Sequence, residues 1–217
     1  MNLLHIDIVS DIVCPWCVIG YKNLAKAIKI LKGELEFTIN WKPFQLHPEI
    51  PIEGFDKHKY MDIKFKSSER RKSSLDQICE IGEKVGFNFN FSRNRHLPNT
   101  FLAHRLLWFS KSMGLQNKIS EALFYNYFTE GKDVGSIDEL ISISEKNGLE
   151  KDTIETFLRS DLGTKEVIRE EKRSKEMKIS SVPTYIFNKK YMLVGGQEPD
   201  TFVAYLRKIK EKETETA

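Results

Sequence analysis

The sequence predicts an α/β fold in which two sheet-forming segments flank a long helical insertion. Three observations predict it. The chain opens with a β-α-β pattern that ends at Phe44. From Ile179 it closes with a β-hairpin pattern and a final helical pattern, a β-β-α unit. The long stretch between them shows helical patterns and no clear strand. We therefore expect a sheet-containing domain of residues 1–44 and 179–217, interrupted by an inserted helical domain of residues 45–178.

The β-α-β unit is predicted from three runs of residues. Residues 3–9 are apolar and rich in β-branched side chains, which is typical of a strand. Residues 15–32 repeat apolar side chains at helical spacing. Phe37, Ile39 and Trp41 then alternate with polar residues, which indicates a strand with one apolar face. A crossover helix of this length allows the two strands to run parallel.

The insertion shows some five helical patterns. A basic, serine-containing stretch, residues 64–74, leads into a predicted helix cap at Ser74–Gln77. Phe87, Phe89 and Phe91 alternate with asparagines, and this pattern fits either a short strand or an aromatic-rich loop. The insertion is therefore predicted to be helical apart from this one ambiguous run.

The candidate reactive centre is Cys14-Pro15-Trp16-Cys17, where the first predicted strand gives way to the first helix. Residues three apart on a helix share a face, with Cβ atoms about 5–6 Å apart, which is within reach of a disulfide. Pro15 suits the first helical position because a backbone N–H at that position has no partner within the helix, so proline, which lacks the N–H, loses no hydrogen bond there. Unpaired N–H groups and the helix dipole favour an anion, and a thiol at a helix N-terminus can have its pKa lowered by several units. We expect Cys14 to be the nucleophile and Cys17 the resolving thiol.

A zinc site is a competing explanation for a CxxC pair, but structural zinc needs two further ligands. The only other cysteine, Cys79, shares a predicted core face with Leu75 and Ile78, and the five histidines show no pairing at ligand spacing. An inert buried pair is the other alternative. The sequence favours a redox dithiol with no bound cofactor and no metal.

Length and composition set the broader class. The 217 residues are 40% hydrophobic, which is ample for a core, and 30% charged with a net charge of only +3. This near balance indicates neither a nucleic-acid nor a membrane partner. The chain shows no signal-peptide pattern and no apolar run of about 18–20 residues. We expect a cytoplasmic protein, and persistent structural disulfides are uncommon there, which favours a reactive role for the cysteine pair.

The β-α-β and β-β-α halves, with CxxC at the first helix start, resemble the thioredoxin fold, and the helical insertion resembles its DsbA-like branch. Four blocks of residues, in the expected order and spread over nearly the whole chain, are similar to the FrnE-type subfamily of DsbA-like oxidoreductases. The blocks are Asp7–Asp11 with the CPWC motif and Gly20, Pro98–Thr100 with Ala103–Arg105, Ser181–Thr184, and Gly195–Gln197.

This resemblance implies a thiol-disulfide oxidoreductase that acts on protein or small-molecule thiols and disulfides, with glutathione as a candidate redox partner. It implies that Pro183 is cis and lies against the CxxC motif, and that the Val182 backbone pairs with an extended substrate. The helical insertion would form the lid of a substrate groove. The residues expected to contact substrate are Pro15, Trp16, Val182, Pro183, Asn99 and His104. The oligomeric state, monomer or dimer, stays open.

Two details set this chain apart from its expected relatives. Trp16 stands where DsbA has a histidine whose charge helps stabilise the thiolate, so we expect a pair less oxidising than DsbA, whose potential is about −120 mV. Thioredoxin-like proteins often carry a carboxylate six residues before the first cysteine, but that position here is Ile8. Asp7 should face the other side of the strand. Asp11 either ends the strand or accepts the proton of Cys17.

Two other functions compete with this interpretation. Related folds include 2-hydroxychromene-2-carboxylate isomerases and kappa-class glutathione transferases, which use glutathione and characteristically carry serine at the first position of the motif. Cys14 argues against them, as does Cys17, which their chemistry does not need. A non-catalytic chaperone or interaction protein with a vestigial dithiol is the third alternative.

Overall fold

The structure is a computed structural model that describes residues 3–64 and 67–215. Among the described helices, none is both long and apolar enough to cross a membrane. In chain order the elements are β1 (Leu3–Ser10), α1 (Pro15–Ile30), β2 (Glu36–Pro43), β3 (Phe55–Asp56), α2 (Lys57–Lys64), α3 (Ser68–Val85), β4 (His96–Leu97), α4 (Phe101–Lys111), α5 (Gln116–Phe128), α6 (Ile137–Lys146), α7 (Lys151–Arg159), α8 (Thr164–Glu176), β5 (Thr184–Phe187), β6 (Tyr191–Val194) and α9 (Pro199–Glu215).

A four-stranded sheet joins the two ends of the chain in the order β2-β1-β5-β6. β1 pairs with β2 in parallel along its whole length and with β5 in antiparallel fashion, and β5 pairs with β6 as a hairpin. Ile6 and Ile8 of β1 are fully buried, because alternate side chains of a strand point to the same face. The predicted β-α-β and β-β-α units are confirmed, and β1 carries the chain directly to the CxxC motif.

The outer edge of β2 is covered by the side chain of Gln116, at the start of α5. Its Oε1 accepts a hydrogen bond from Trp41 N at 2.9 Å, and its Nε2 donates to Trp41 O at 3.2 Å and to Leu107 O at 3.1 Å. Asn117 accepts from the Trp41 indole N–H at 2.7 Å. The edge strand of a sheet has backbone N–H and C=O groups with no neighbouring strand to pair with. Here the Gln116 side-chain amide makes hydrogen bonds with both of these groups of Trp41.

The segment between the two halves differs from the prediction in two respects. Its described residues form seven helices, α2 to α8, rather than some five, and the two-residue strands β3 and β4 pair with each other. The predicted cap at Ser74–Gln77 is wrong. α3 begins earlier because the Ser67 side chain accepts a hydrogen bond from Arg70 N, so Ser74–Gln77 lies inside the helix.

The aromatic run at Phe87, Phe89 and Phe91 is a loop. Its rings pack on one another and on Phe128 of α5, with centroid separations of 4.7–6.5 Å. Their burial therefore comes from the turn after α3 folding onto α5, without a strand ladder. One continuous apolar core contains residues of the sheet, of α1 and of helices α3 to α7.

Candidate active site

The CxxC motif lies where the backbone leaves β1 and enters α1. Cys14 is the N-cap of α1, with extended φ and ψ of −95° and 110°, and Pro15 occupies the first turn. Cys14 N donates to Asp11 O at 3.1 Å, and Cys17 N donates to Cys14 O at 3.1 Å. The first turn holds no acidic side chain, and no side chain caps it. Cys14 therefore lies at the positive end of the α1 dipole.

The two sulfurs differ in burial. Both residues are present as free thiols; Cys14 is 4% exposed and Cys17 is fully buried. Burial raises the pKa of Cys17 well above that of an ordinary thiol, and the neighbouring Cys14 thiol raises it further. The Ser10 hydroxyl and the Asp11 backbone N–H lower it by smaller amounts. The charged form of Cys17 is therefore disfavoured, and Cys14 alone of the pair has any exposed surface.

The second half of the chain closes the site from the opposite side. The Val182–Pro183 peptide bond is cis. Cys14 Sγ donates to Val182 O at 3.7 Å, within the range for a sulfur donor. Pro183 O accepts from Gly195 N at 2.8 Å, which ties this turn to the end of β6. The nucleophile candidate is thus in direct contact with the backbone that the sequence predicted to bind substrate.

Gly20, one turn beyond Cys17, allows α1 to approach this turn closely. A Cβ at Gly20 would lie 3.0 Å from Gly196 Cα and 3.2 Å from Pro183 Cγ, and nearer still to the Tyr185 hydroxyl. Contacts of this length are rarely or never seen for a real Cβ. The glycine is therefore required by the packing of α1 against the hairpin.

Trp16 lies on the rim of the site. It is 39% exposed, although it belongs to the same turn as the buried Cys17. The backbone around it is tightly placed, since a Cβ at Gly196 would lie 3.2 Å from Trp16 O. A partly exposed indole beside a recessed sulfur offers an apolar surface to whatever approaches that sulfur. Its contact with substrate stays a prediction, as does that of Pro15.

Asp11 and His104 form a buried pair behind the motif. Asp11 Oδ1 lies 3.3 Å from His104 Nε2, and Asp11 Oδ2 accepts from Leu46 N at 2.7 Å. Neither Asp11 Oδ1 nor His104 Nε2 forms a hydrogen bond among the described residues, so their contact is a close approach of two buried polar atoms. Glu171 stands beside the pair: burial raises its pKa, and the nearby His104 lowers it. At 2% exposure, His104 has no surface to offer a substrate, contrary to what the sequence led us to expect.

Asn99 also differs from its expected role, because its polar atoms are used within the protein. Its Nδ2 donates to Ile50 O at 2.6 Å, and its Oδ1 accepts from Phe101 N at 3.0 Å and from Gln45 Nε2 at 3.3 Å. It therefore holds the loop after β2 against the start of α4. The neighbouring Arg105 is buried and donates to backbone carbonyls at the end of α7 and just after it. Both residues position the insertion around the site.

Sequence reasoning missed the polar surroundings of Cys17. Ser10 is buried, and its position shares the inward face of β1 with Ile6 and Ile8, so the two-residue period was an available signal. Tyr185, opposite Ile8 in the sheet, is fully buried; burial raises its pKa well above the usual value, and the two cysteines raise it further. The Asp11–His104 contact had no local signal, since it joins residues far apart in the chain.

No group of three or more His, Cys, Asp or Glu side chains within residues 3–64 and 67–215 is arranged to hold a metal ion. Cys79 is half-buried on α3, and its Sγ donates to Phe89 O at 3.7 Å. This contact places it in the packing between α3 and the aromatic loop, away from Cys14 and Cys17.

Residues 5–207 match the family of DSBA-like thioredoxin domains. The chain belongs to this family. It is 28% identical over 203 residues to YwbO of Bacillus subtilis (strain 168), an uncharacterized protein, covering 92% of this chain and 94% of that one. The fold is therefore that of a DsbA-like thioredoxin domain, as the sequence predicted.

Solved structures agree with this fold. A probable DsbA oxidoreductase from Streptomyces coelicolor superposes with a TM-score of 0.86 at 22% identity, covering 94% of this chain and 89% of that one. A 2-hydroxychromene-2-carboxylate isomerase gives 0.67 at 17% identity, with 98% and 99% covered. The cytosolic disulfide reductase DsbM of Pseudomonas aeruginosa, solved with glutathione, gives 0.63 at 15%, with 95% and 99% covered. At these identities the likeness concerns the fold alone.

Proposed function

We propose that this chain is a thiol-disulfide oxidoreductase of the FrnE type, with Cys14 as the nucleophile and Cys17 as the resolving thiol. One observation carries the proposal: the two thiols share the first turn of α1, Cys14 at its N-cap and Cys17 buried below. Membership of the DSBA-like family supports an enzyme of this general kind.

The proposed reaction has two exchange steps. The Cys14 thiolate attacks one sulfur of a substrate disulfide, so a mixed disulfide forms and one substrate thiolate leaves. Cys17 then loses its proton and attacks Cys14 Sγ, which breaks the mixed disulfide, releases the second substrate thiolate and joins Cys14 to Cys17. Two electrons pass from the dithiol to the substrate. The same steps in reverse oxidise a substrate dithiol.

The environment of Cys17 accounts for the order of these steps. Burial is the largest cause of its raised pKa, but the Cys14 thiol contributes as well. Once Cys14 is bound in a mixed disulfide it carries no charge, and its share of the effect on Cys17 disappears. Cys17 is thus a poor nucleophile in the free protein and a better one after substrate has bound.

The Val182 carbonyl is the proposed partner of the substrate backbone. It faces Cys14 Sγ at 3.7 Å, so an extended substrate N–H could take the place of the thiol as donor when the sulfur reacts. The reaction needs no resident cofactor. We propose glutathione as a redox partner and the cytoplasm as the compartment. Because Trp16 is uncharged, the CxxC pair should be less oxidising than that of DsbA.

Trapping of mixed disulfides tests this function. Cys17→Ala incubated with a disulfide-linked peptide should accumulate a covalent adduct on Cys14, because the second step is blocked. Cys14→Ser should form none, and Cys79→Ser, the matched control, should turn over like the unaltered protein. The proposal fails if Cys17→Ala forms no adduct or if Cys14→Ser still exchanges disulfides. Glutathione-dependent isomerase turnover that survives Cys17→Ala would instead favour the isomerase alternative.

A further inference from the structure

One stretch of the chain carries a large excess of positive charge. Residues 57–72 contain seven lysines and arginines and two acidic residues, a net charge of +5, whereas the whole chain carries +3. The rest of the protein is therefore slightly negative. Such a local excess of positive charge in a nearly neutral chain produces a positive electrostatic potential around this stretch, which attracts negatively charged partners.

The described residues of this stretch form α2 and the beginning of α3, and α2 buries none of its residues. Contacts of its first turn hold it in place instead. The Lys57 ammonium lies 5.0 Å from the centre of the Tyr127 ring and 5.5 Å from that of Phe91. Tyr60 packs on His47 with ring centroids 4.8 Å apart. The helix is thus fixed in place while the outward side of it stays exposed.

The position of α2 relative to the dithiol follows from the loop after β2. Leu46 N donates to the buried carboxylate of Asp11, three residues before Cys14. The next residue, His47, contacts Tyr60 of α2. One loop therefore links Asp11, three residues before Cys14, to the first turn of α2.

The exposed surface of this region combines cations with apolar side chains. Four exposed cations on the described part of α2 and the first two turns of α3 have no carboxylate within ion-pair distance: Lys59, Lys64, Arg70 and Lys72. Ile52, in the loop before β3, is 81% exposed and Ile63 is 77% exposed. Ile63 lies next to Lys64 on α2, so apolar and basic side chains of this helix are both open to a partner.

We propose that this basic face, defined as Lys59, Lys64, Arg70, Lys72, Ile52 and Ile63, docks an acidic segment of a protein disulfide substrate and brings its disulfide to Cys14. The charge complementarity selects an acidic partner, and the two isoleucines select one with apolar side chains among the acids. This inference rests on the proposed oxidoreductase function and assigns its substrate class. Attraction between exposed charges acts mainly on the association rate and is screened by salt.

The test compares three disulfide-linked peptides of equal length, with acidic, neutral and basic residues flanking the cysteines, reacting with the reduced full-length protein. At about 0.02 M salt the acidic peptide should react about tenfold faster than the neutral one, and at about 0.5 M salt the difference should fall below about twofold. The combined variant Lys59→Glu, Lys64→Glu, Lys72→Glu should abolish the preference. The matched control Lys151→Glu, Lys165→Glu, Lys208→Glu changes the net charge equally on other faces and should retain it.

A small neutral disulfide separates this inference from the proposed function. 2-Hydroxyethyl disulfide should react at the same rate with the unaltered protein and both triple variants. If no disulfide reacts at all, the oxidoreductase function itself fails, and this inference with it. If the neutral disulfide reacts but the acidic peptide has no advantage, or keeps its advantage in the first variant, the docking surface is refuted. Equal peptide rates together with binding to phosphatidylcholine vesicles containing about one-fifth phosphatidylserine would assign the basic face to a membrane surface instead.

Discussion

At the scale of single residues, the chemistry depends on unequal environments for two identical side chains. Cys14 ends an extended segment at the helix N-terminus, and Cys17 is buried one turn below. Burial disfavours a charged thiolate, whereas unpaired helix N–H groups favour it. In the proposed function, the same turn of helix therefore gives the two sulfurs different roles.

The titration of Cys17 tests this assignment. In a Cys79→Ser background, thiolate absorbance measured against pH should show a step from Cys17 well above the range of an ordinary thiol, because burial raises its pKa and Cys14 raises it further. Replacing Cys14 by serine should move that step to lower pH while leaving it above the ordinary range, since the effect of burial remains. A Cys17 step at the ordinary thiol value in either protein would contradict the assignment.

The buried Asp11–His104 pair gives a prediction about stability. Asp11→Ala removes the acceptor of Leu46 N and leaves the His104 ring without its partner, so we expect a loss of about 2–4 kcal/mol in the free energy of unfolding in urea. Asp11→Asn keeps an acceptor for Leu46 N and should lose less.

Asp7→Ala is the matched control for this measurement. Asp7 lies on β1, four residues before Asp11, and accepts one hydrogen bond, from Asn40 Nδ2 at 3.2 Å, in a half-buried position. Its removal should cost about 1 kcal/mol or less. Equal losses for Asp7→Ala and Asp11→Ala would show that the pair contributes nothing beyond an ordinary hydrogen bond.

At the scale of secondary-structure elements, local patterns predicted most of what surrounds the dithiol. The β-branched run before the motif, the helical repeat after it and the hairpin near the end of the chain are all present. Each depends on neighbours along the chain, through strand alternation, helix periodicity and turn residues. The cap of α3 was predicted at Ser74–Gln77, but the helix begins after Ser67, whose side chain accepts a hydrogen bond from Arg70 N.

What the sequence could not predict depends on residues far apart in the chain. Its patterns gave no sign that the Asn99 amide would hold the loop after β2, or that a histidine on α4 would lie against Asp11. Both were expected to contact substrate because the resemblance to DsbA-like oxidoreductases implied it. Instead the Asn99 amide is hydrogen-bonded within the protein, and His104 is buried against Asp11.

The edge of β2 supplies a prediction at the element scale. Gln116→Ala leaves both Trp41 backbone groups without their partners in a buried setting, so we expect about 2–4 kcal/mol of destabilisation. The Trp41 amide should also exchange with solvent much faster, as measured by hydrogen exchange. Asn117→Ala, which removes only the bond to the indole N–H, should leave that amide protected. Unchanged exchange at Trp41 in Gln116→Ala would show that the amide is protected by other means.

At the scale of the whole molecule, the sheet and the insertion share one apolar core, although the sequence divides them at residues 45 and 178. Ile8 of β1, Leu24 of α1 and Leu123 of α5 are fully buried members of the same cluster. Surfaces that bury each other's apolar side chains are expected to unfold together, since neither keeps its core when the other is lost. The domain boundaries therefore mark only where the insertion begins and ends in the sequence. We predict that the insertion and the sheet domain unfold together.

Leu123→Ala tests this cooperativity from within the insertion. Deleting a fully buried leucine side chain should cost about 2–5 kcal/mol, because transfer energy is lost and a cavity remains. If the core is shared, urea unfolding followed by far-ultraviolet circular dichroism and by tryptophan fluorescence should remain a single transition, shifted to lower urea. Hydrogen exchange of the β1 amides should accelerate by the same free energy, although Leu123 lies outside the sheet. Two separate transitions, with β1 exchange unchanged, would mean that the insertion unfolds independently and that the dithiol stands on a sheet stable without it.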